Sequence, residues 1–121
     1  MADNKFVVSL SFAKNDTDKS TVAFVVANAA VASGKDTVVF LSIEGVHLSQ
    51  NGYADSIHEE GFAPLKELMT NFAEAGGEIY VYSPCFKKRK LDENNLIKGA
   101  KVVGGAKLVE FMGEGAPSIC Y

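Results

Sequence analysis

Strand-like apolar runs alternate with helix-like stretches along the whole chain, and this alternation restricts the possible folds more than any other feature. The runs at 5–12, 36–43 and 78–82 are rich in Val, Ile, Phe and Tyr, which are typical strand residues. The run at 36–43 is apolar through its centre, as expected for a parallel strand that is covered on both faces. Parallel strands need a crossover between them, and a helix usually makes it. We therefore predict a three-layer α/β/α fold over residues 1–121 as a single domain, with a mainly parallel sheet of four to five strands.

Helices are predicted between the strands from the spacing of apolar residues and from end signals. Capping side chains at 15–18 precede the first helix, and Gly34 follows it. The second helix carries one apolar stripe and is followed by two glycines. The segment 51–61 mixes Gly, Asn, Asp and His and is predicted to be an exposed loop or lid. The predicted helices lie at 20–33, 62–75 and 105–112, with a short helix or turn at 86–95. A final strand is predicted at 116–121, and the apolar residues near Val102 are compatible with one more short strand.

The first predicted helix, at 20–33, is apolar on nearly all of its faces. Val and Ala occupy most of its positions, so it lacks the wide polar face of a surface helix. Such a helix is buried on more than one side. In a chain this small, we expect the sheet to cover one side and another subunit to cover the other.

Composition and charge argue against several classes of protein. Apolar residues make up 47% of the chain and charged residues 22%, as in folded domains rather than disordered segments. The net charge of -3 argues against a dedicated nucleic-acid binder, and no apolar run is long enough to span a membrane. The N-terminus lacks the basic start and the apolar stretch of a signal peptide. We therefore expect a cytoplasmic protein that binds neither nucleic acid nor membranes.

The sequence carries no motif for a metal or a cofactor. Its two cysteines and two histidines lack metal-ligand spacing. The stretch at 99–107 resembles a phosphate-binding loop, but Gly105 occupies the place of its lysine, and no glycine-rich dinucleotide fingerprint follows the first strand. The acids, Glu44 among them, lie at strand ends, helix caps and loops, where surface acids are common. We expect neither a cofactor nor a metal site.

Cys85 is the strongest candidate for a reactive residue. It follows the strand at 78–82 through Ser83-Pro84 and precedes the basic segment at 87–90. Cationic neighbours lower the pKa of a thiol toward neutrality, and the thiolate is the reactive form. A nucleophilic role is therefore consistent with this position. The alternative is that Cys85 is a small apolar residue at a turn and that the lysines form a solvated face.

His47 and Tyr82 are candidates for shaping a pocket around Cys85. His47 lies just past the strand at 36–43, on the sheet edge where α/β proteins bind ligands, and it can act as an acid or base near neutral pH. It can also be a partly exposed loop histidine. Cys120 lies in the final strand, where we expect a buried core residue rather than a resolving thiol.

Taken together, these features resemble the DsrE/DsrF-like family, small α/β proteins related to the sulfur-transfer subunits of tRNA thiolation and sulfur oxidation. The resemblance covers nearly the whole chain, and the order of its pieces is more specific than any single piece. The matching stretches are 15–19 after the first strand, 27–30 and 33–34 in the first helix, 40–46, the Gly-Gly-x-Ile-Tyr-Val-Tyr-Ser-Pro-Cys stretch at 76–85, and the terminal unit at 104–121.

The resemblance implies a cysteine at the position of Cys85 that accepts sulfane sulfur as a persulfide and passes it to an acceptor thiol. In this interpretation Lys87, Lys88 and Arg89 stabilise the thiolate and persulfide anions. The resemblance also implies homo-oligomers, commonly trimers or hexamers, with sulfur donor and acceptor proteins as partners. Some relatives carry another cysteine shortly before this one. Here Tyr82 and Ser83 precede Pro84-Cys85, which disfavours dithiol redox chemistry.

Two other functions remain open from the sequence. The first is a non-catalytic oligomeric binding module for a small anion or an acidic partner protein, in which Cys85 has no role. The second is a peroxide-reducing thiol, an alternative weakened by the lack of a nearby resolving cysteine.

Overall fold

The structure is a computed structural model and describes residues 4–121. A five-stranded sheet forms its centre. The strands are β1 (Lys5–Leu10), β2 (Asp36–Leu41), β3 (Glu78–Tyr82), β4 (Ala100–Val103) and β5 (Ser118–Cys120). They are ordered β4-β3-β2-β1-β5, and each neighbouring pair is parallel. The predicted fold class is confirmed, including the additional short strand, which is β4.

Helices make the crossovers between the strands. The α-helices are α1 (Thr17–Ala32), α2 (Leu65–Glu74), α3 (Ser83–Lys88) and α4 (Gly105–Met112). Short 3₁₀ helices lie at Ile43–Ser49, Tyr53–Ser56 and Glu93–Asn95. Within residues 4–121, no helix is both long enough and apolar enough to cross a membrane.

One face of the sheet packs against α1 and α2 and contributes to the larger of two buried clusters. Alternate strand residues point to this face, because successive side chains of a strand lie on opposite sides of the sheet. Phe24 of α1 and Phe72 of α2 meet edge to face above it, with ring centroids 5.9 Å apart. The strand residues of this cluster are Val8, Leu10, Val39, Leu41, Ile79 and Val81.

The opposite face is covered by α4, which has only eight residues. Phe111 of α4 packs edge to face on Tyr80, with ring centroids 6.2 Å apart. Val7, Val38 and Phe40 complete this smaller cluster. The structure thus has three layers, with unequal helix cover on its two outer sides.

The outer side of α1 remains apolar in the single chain. Val22, Val25 and Val26 are half-buried and Ala29 is exposed. A shallow groove beside this surface is bounded by Phe6 of β1 together with Val26 and Ala29. The sheet side of the helix is covered by the chain itself, and cover of the other side by a second subunit stays a prediction.

Local sequence explains where the helices differ from their predicted bounds. α1 begins at Thr17 rather than at 20, because the Asp16 carboxylate accepts a hydrogen bond from the Lys19 amide at 3.0 Å. α2 begins at Leu65 rather than at 62, because Pro64 disfavours a helical conformation in the residue before it. α3 begins at Ser83 rather than at 86. Pro84 fits this first turn, because its missing N–H would have no helical partner there.

The segment 51–61 is only partly the exposed loop that the sequence predicts. Ala54 and Ile57 are buried, with exposed fractions of 6% and 3%. The Ile57 carbonyl also accepts a hydrogen bond from the Leu65 amide at 2.9 Å. These apolar anchors hold the segment against α2, and its polar residues face outward.

Gly77 lies between α2 and β3, where its backbone approaches the Phe72 ring closely. A Cβ at this position would lie 2.3 Å from a ring carbon of Phe72, whose side chain is fully buried. We expect Gly77→Ala to lower the free energy of unfolding by about 1–3 kcal/mol, the usual cost of overpacking, as measured by urea unfolding. Gly104→Ala is the matched control, because nothing lies within 4 Å of its added Cβ. Equal effects of the two substitutions would contradict this assignment.

Candidate functional site

Cys85 lies in the first turn of α3, directly beyond the carboxyl end of β3. Its side chain is half-buried and packs against the core on the α1–α2 face of the sheet. The next residue, Phe86, is 1% exposed and anchors α3 in that core. The fold therefore holds Cys85 at a fixed place on the carboxyl edge of the sheet and leaves this residue partly exposed.

Arg89, at the end of α3, is paired with Glu44. Its Nε and Nη2 atoms both donate to Oε2 of Glu44, at 3.0 and 2.8 Å. Its Nη1 atom donates to the backbone carbonyl of Cys85 at 3.2 Å. Glu44 follows β2, the strand next to β3, so the two segments meet at the same edge of the sheet. Arg89 thus ties the cysteine-bearing helix to the segment after β2.

The carboxylate of Glu44 also connects this ion pair to His47. The hydrogen bond from Arg89 lowers the pKa of Glu44 below its ordinary value, and the opposing effect of desolvation is smaller. The other carboxylate oxygen, Oε1, lies 3.5 Å from Nε2 of His47. The His47 ring stacks on Tyr53 with centroids 5.3 Å apart, and Nζ of Lys14 lies 4.5 Å from the centroid of the Tyr53 ring. His47 is therefore held beside Glu44 by contacts on two sides.

Gly45 allows the segment that carries Glu44 and His47 to lie against the end of β1. A Cβ on Gly45 would lie 2.4 Å from the carbonyl oxygen of Leu10. The same carbonyl accepts a hydrogen bond from the Ser42 amide at 3.1 Å. A side chain at Gly45 would force this segment away from the sheet edge.

Each residue of the Glu44–Arg89 pair has a chain neighbour with a left-handed backbone conformation. Ile43 has a φ of 53° and Lys90 a φ of 54°, and within residues 4–121 these are the only non-glycine residues with positive φ. Ile43 precedes Glu44, and Lys90 follows Arg89. Conformations of this kind cost on the order of 1–3 kcal/mol, and a β-branched residue such as Ile43 rarely adopts them. They persist only where the surrounding fold enforces them.

The structure brings some of the predicted site residues together and separates others. Lys87 and Lys88 are exposed on α3 beside Cys85, and the charge of Lys88 contributes to lowering the pKa of Glu44. Tyr82 packs on Phe40, with ring centroids 5.5 Å apart, in the cluster on the α4 face. Cys85 packs on the opposite face. The thiol, the cations of α3 and the Glu44–His47 pair therefore share one region, and Tyr82 lies outside it.

The prediction of a buried Cys120 is wrong for the described chain, in which this side chain is exposed. Cys120 pairs with Ser9 in the parallel register, so its side chain lies on the α4 face of the sheet. β5 is a three-residue strand at the edge of the sheet, and all three of its residues are exposed. The short α4 does not cover this edge, which explains the exposure.

Glu44 and Tyr53 are components of the site that sequence reasoning does not single out. The partner of Glu44 is 45 residues away in the chain, so the local sequence shows only an acid at a strand end. The available signal is positional, because Glu44 follows the strand adjacent to the one that leads to Cys85. Tyr53 has no comparable signal, since it lies in a segment predicted to be a loop.

The groups at this edge combine a nucleophile with cations that can attract an anionic compound. A half-buried thiol is accompanied by the ammonium groups of Lys87 and Lys88, a guanidinium held by a carboxylate, and an imidazole. Within the part of the chain that the structure describes, no group of three His, Cys, Asp or Glu side chains could hold a metal ion.

Comparison with known proteins places this chain in a family. A sequence model of the DsrE/DsrF-like family matches residues 4–120, which is nearly the whole chain and includes the cysteine-bearing strand and helix. The chain belongs to the DsrE/DsrF-like family. This confirms the predicted resemblance, and the family is broadly associated with sulfur relay.

Relatives of this DsrE-like chain occur in Methanocaldococcus jannaschii and Methanopyrus kandleri. The uncharacterized protein MJ0989 of Methanocaldococcus jannaschii is 30% identical over 110 residues, which cover 91% of this chain and 93% of the relative. MK0008 of Methanopyrus kandleri is 27% identical over 107 residues, which cover 88% of this chain and 85% of the relative. MJ0760 of M. jannaschii is 24% identical over 91% of this chain, but this chain spans only 40% of its length.

Solved structures share the same fold. The ychN protein from E. coli superposes with a TM-score of 0.79 at 15% identity, covering 97% of this chain and 99% of that protein. MTH1491, a protein of unknown function from Methanobacterium thermoautotrophicum, superposes with a TM-score of 0.69 at 17% identity. The superposition covers 98% of this chain and 100% of that protein. At these identities the similarity establishes the fold of the DsrE-like chain alone.

The Glu44–Arg89 pair predicts a pH-dependent contribution to stability. Because the pKa of Glu44 is lowered in the folded chain, this contribution is fully present above its ordinary value of 4.5 and is lost as the pH falls through the folded-state pKa. At neutral pH we expect Glu44→Gln to reduce the free energy of unfolding by about 1 kcal/mol, since the pair is partly exposed. The difference from wild type should disappear in acid.

Urea unfolding of wild type and Glu44→Gln at a series of pH values would measure this dependence. Glu114→Gln is the control, because Glu114 forms a more exposed pair with Lys5 at 3.4 Å. A constant difference between wild type and Glu44→Gln down to the acid limit would show that the charge of Glu44 is not what stabilises the fold.

Proposed function

We propose that this DsrE-like protein is a sulfur carrier that accepts sulfane sulfur on Cys85 and passes it to an acceptor thiol. The observation that carries the proposal is the position of Cys85: a half-buried but accessible thiol at the carboxyl edge of a parallel sheet, in a family associated with sulfur relay. Ligands of open α/β sheets bind at this edge. The thiol is thus located where a donor or acceptor can reach it.

The proposed reaction moves one sulfur atom without net oxidation. The Cys85 thiol first releases its proton to solvent, and the thiolate attacks the terminal sulfur of a donor persulfide. A new S–S bond to Sγ forms, the S–S bond of the donor breaks, and the donor leaves as a thiolate that takes up a proton from solvent. In the second step, an acceptor thiolate attacks the outer sulfur of the Cys85 persulfide. The bond to Sγ then breaks, and the Cys85 thiolate is regenerated.

Two lysine side chains on the same helix as Cys85 can attract an anionic sulfur donor. Lys87 and Lys88 are exposed on the same short helix, and within residues 4–121 no ion pair includes either of them. Their ammonium groups are thus available to an approaching persulfide or to an acidic partner. Arg89 has a different role in this proposal, because three of its five N–H groups already donate to Glu44 and to the Cys85 carbonyl. We assign it to holding α3 in place.

Dithiol and peroxide chemistry within one chain fits this geometry poorly. Cys85 follows β3 and Cys120 lies in β5, with β2 and β1 between them. Three strand spacings amount to about 14 Å, whereas the Cα atoms of a disulfide lie within about 7 Å of each other. Cys120 of the same chain therefore cannot act as a resolving thiol for Cys85 without a large rearrangement.

We further propose that the protein is a homo-oligomer, a trimer or a hexamer, assembled through the outer side of α1. The half-buried valines of that helix and the groove beside Phe6 form an apolar surface that the single chain leaves open. Burial of this surface against a second copy would remove it from water, and such burial is the main driving force of stable association.

Loading of Cys85 tests the sulfur-carrier proposal. After incubation with a persulfide donor, intact mass spectrometry and peptide mapping should show the gain of one sulfur atom on Cys85. Cys85→Ser should lose this gain, and Cys120→Ser is the matched control that should keep it. We expect Lys87→Gln combined with Lys88→Gln to slow loading severalfold, because two favourable charges near the attacking thiolate are lost.

Two outcomes would overturn the carrier proposal. The first is no sulfur on Cys85 while the unloaded thiol remains open to alkylation. The second is equal loading of Cys85 and Cys120, which would indicate unspecific reaction of exposed thiols. Either result would favour the alternative of a binding module for a small anion or an acidic partner.

Substitution on α1 tests the assembly proposal. Val26→Glu places a charge in the apolar groove, so we expect it to shift the wild-type oligomer to monomers in analytical ultracentrifugation. Val109→Glu is the control, because Val109 is also an exposed valine, 68% accessible, but lies on α4. A wild-type monomer, or an oligomer that tolerates Val26→Glu and dissociates with Val109→Glu, would contradict the proposal.

A further inference from the structure

A cavity of about 260 Å³ lies beside α2, away from the thiol. It is lined by residues from the segments 48–52 and 54–55, by Lys66, Met69 and Thr70 of α2, and by residues 97–98, which precede β4. Neither Cys85 nor the basic residues of α3 contribute to its lining. It is therefore a separate feature from the proposed sulfur-transfer site.

The base of this cavity is apolar and belongs to the core. Leu48 is fully buried, and Ala54 and Met69 are exposed by only 6% and 4%. Ile97 forms one half-buried wall. A ligand that enters can therefore place an apolar body against side chains that are already held in the core.

Hydrogen bonds between two distant chain segments hold the wall of the cavity in place. The Ile97 amide donates to the Ser49 carbonyl at 2.8 Å, and the Asn51 amide donates to the Asn95 carbonyl at 3.0 Å. The Asn51 side chain also donates to the carbonyl of Leu96 at 3.2 Å. A wall that is fixed before binding lowers the entropic cost of taking up a ligand.

The rim of the cavity carries an excess of positive charge. Lys66 and Lys98 lie on it with one acid, Asp55, whose carboxylate is 3.7 Å from the Lys66 ammonium. No ion pair among residues 4–121 includes Lys98. The Thr70 hydroxyl provides a further donor at the rim. An anionic group at this rim would meet an unpaired ammonium.

We propose that this cavity is a second binding site, which takes a small molecule with a compact apolar body and one anionic group such as a carboxylate. The apolar body lies on Leu48 and Met69, and the anionic group meets Lys98 at the rim. Two features of the structure support this class of ligand together: a buried apolar base and a cationic rim with one unpaired lysine. The site does not depend on sulfur transfer by Cys85.

A matched pair of probes tests the proposal. Naphthylacetate carries an apolar body and a carboxylate, and naphthylacetamide has nearly the same shape without the charge. In two-dimensional amide NMR titrations, naphthylacetate should shift the signals of Asn51, Gly52, Thr70 and Lys98 and saturate. Naphthylacetamide should bind at the same place at least about threefold more weakly, as expected for the loss of one partly exposed charge pair.

Four variants of the full chain complete the experiment. Lys98→Gln should weaken naphthylacetate about threefold and leave naphthylacetamide unchanged, whereas Lys107→Gln on α4 should alter neither. Thr70→Trp, at an exposed position of α2, should fill the cavity and abolish both shifts. Cys85→Ser should bind the probes as wild type does, so failure of the sulfur-carrier proposal would leave this one standing.

Three results would overturn the second binding site. One is the absence of saturable shifts around the cavity, and another is shifts centred on α1 or α4. The third is equal affinity for the two probes, which would show that the cationic rim does not select an anion. Lys98 is exposed, so Lys98→Gln keeps the test informative even if Thr70→Trp fails to fold.

Discussion

The parallel pairing of β2 with β3 is the constraint on which the candidate site depends. Two adjacent parallel strands end at the same edge of a sheet, so the segments that follow them are brought side by side however far apart they are in sequence. Here one segment carries Glu44 and His47, and the other carries Cys85 and Arg89. The register of the core strands therefore determines which side chains can meet. No local motif in either segment contains this information.

The energies at this edge show which interactions hold it together. A partly exposed ion pair contributes about 1 kcal/mol or less, and each left-handed conformation beside it costs about as much or more. The Glu44–Arg89 pair therefore cannot by itself offset the strain at Ile43 and Lys90. Burial of Phe86 from α3 and of Leu48 from the preceding 3₁₀ helix supplies the difference, since a fully buried large apolar side chain contributes about 1.5–3 kcal/mol. The ion pair orients α3 relative to the segment after β2, and burial of apolar side chains stabilises this arrangement.

Sequence patterns predicted the sheet well, because alternating apolar runs and turn signals are local properties. The bounds of β3 and α4 match their predictions. The helix starts were less accurate, because caps such as Asp16 and restrictions such as Pro64 act through single residues. At the site, Cys85 could be found from the chain alone, whereas its link to Glu44 could not, because that contact joins residues in two different crossovers. The exposure of Cys120 follows from the limited reach of α4, and the composition of β5 does not reveal it.

The 3₁₀ helix Ile43–Ser49 is common to both proposed sites. Its first turn presents Glu44 toward Arg89 and the cysteine-bearing helix, and its last turn contributes Leu48 to the base of the cavity. A molecule in the cavity affects the thiol only if it binds two arrangements of this helix with different affinity, and any such effect has to be reciprocal. Relaxing the left-handed conformation of Ile43 would offset part of the cost of a second arrangement. Buried Val46 and Leu48 oppose the change, so coupling between the sites depends on whether the relieved strain exceeds the loss of that packing.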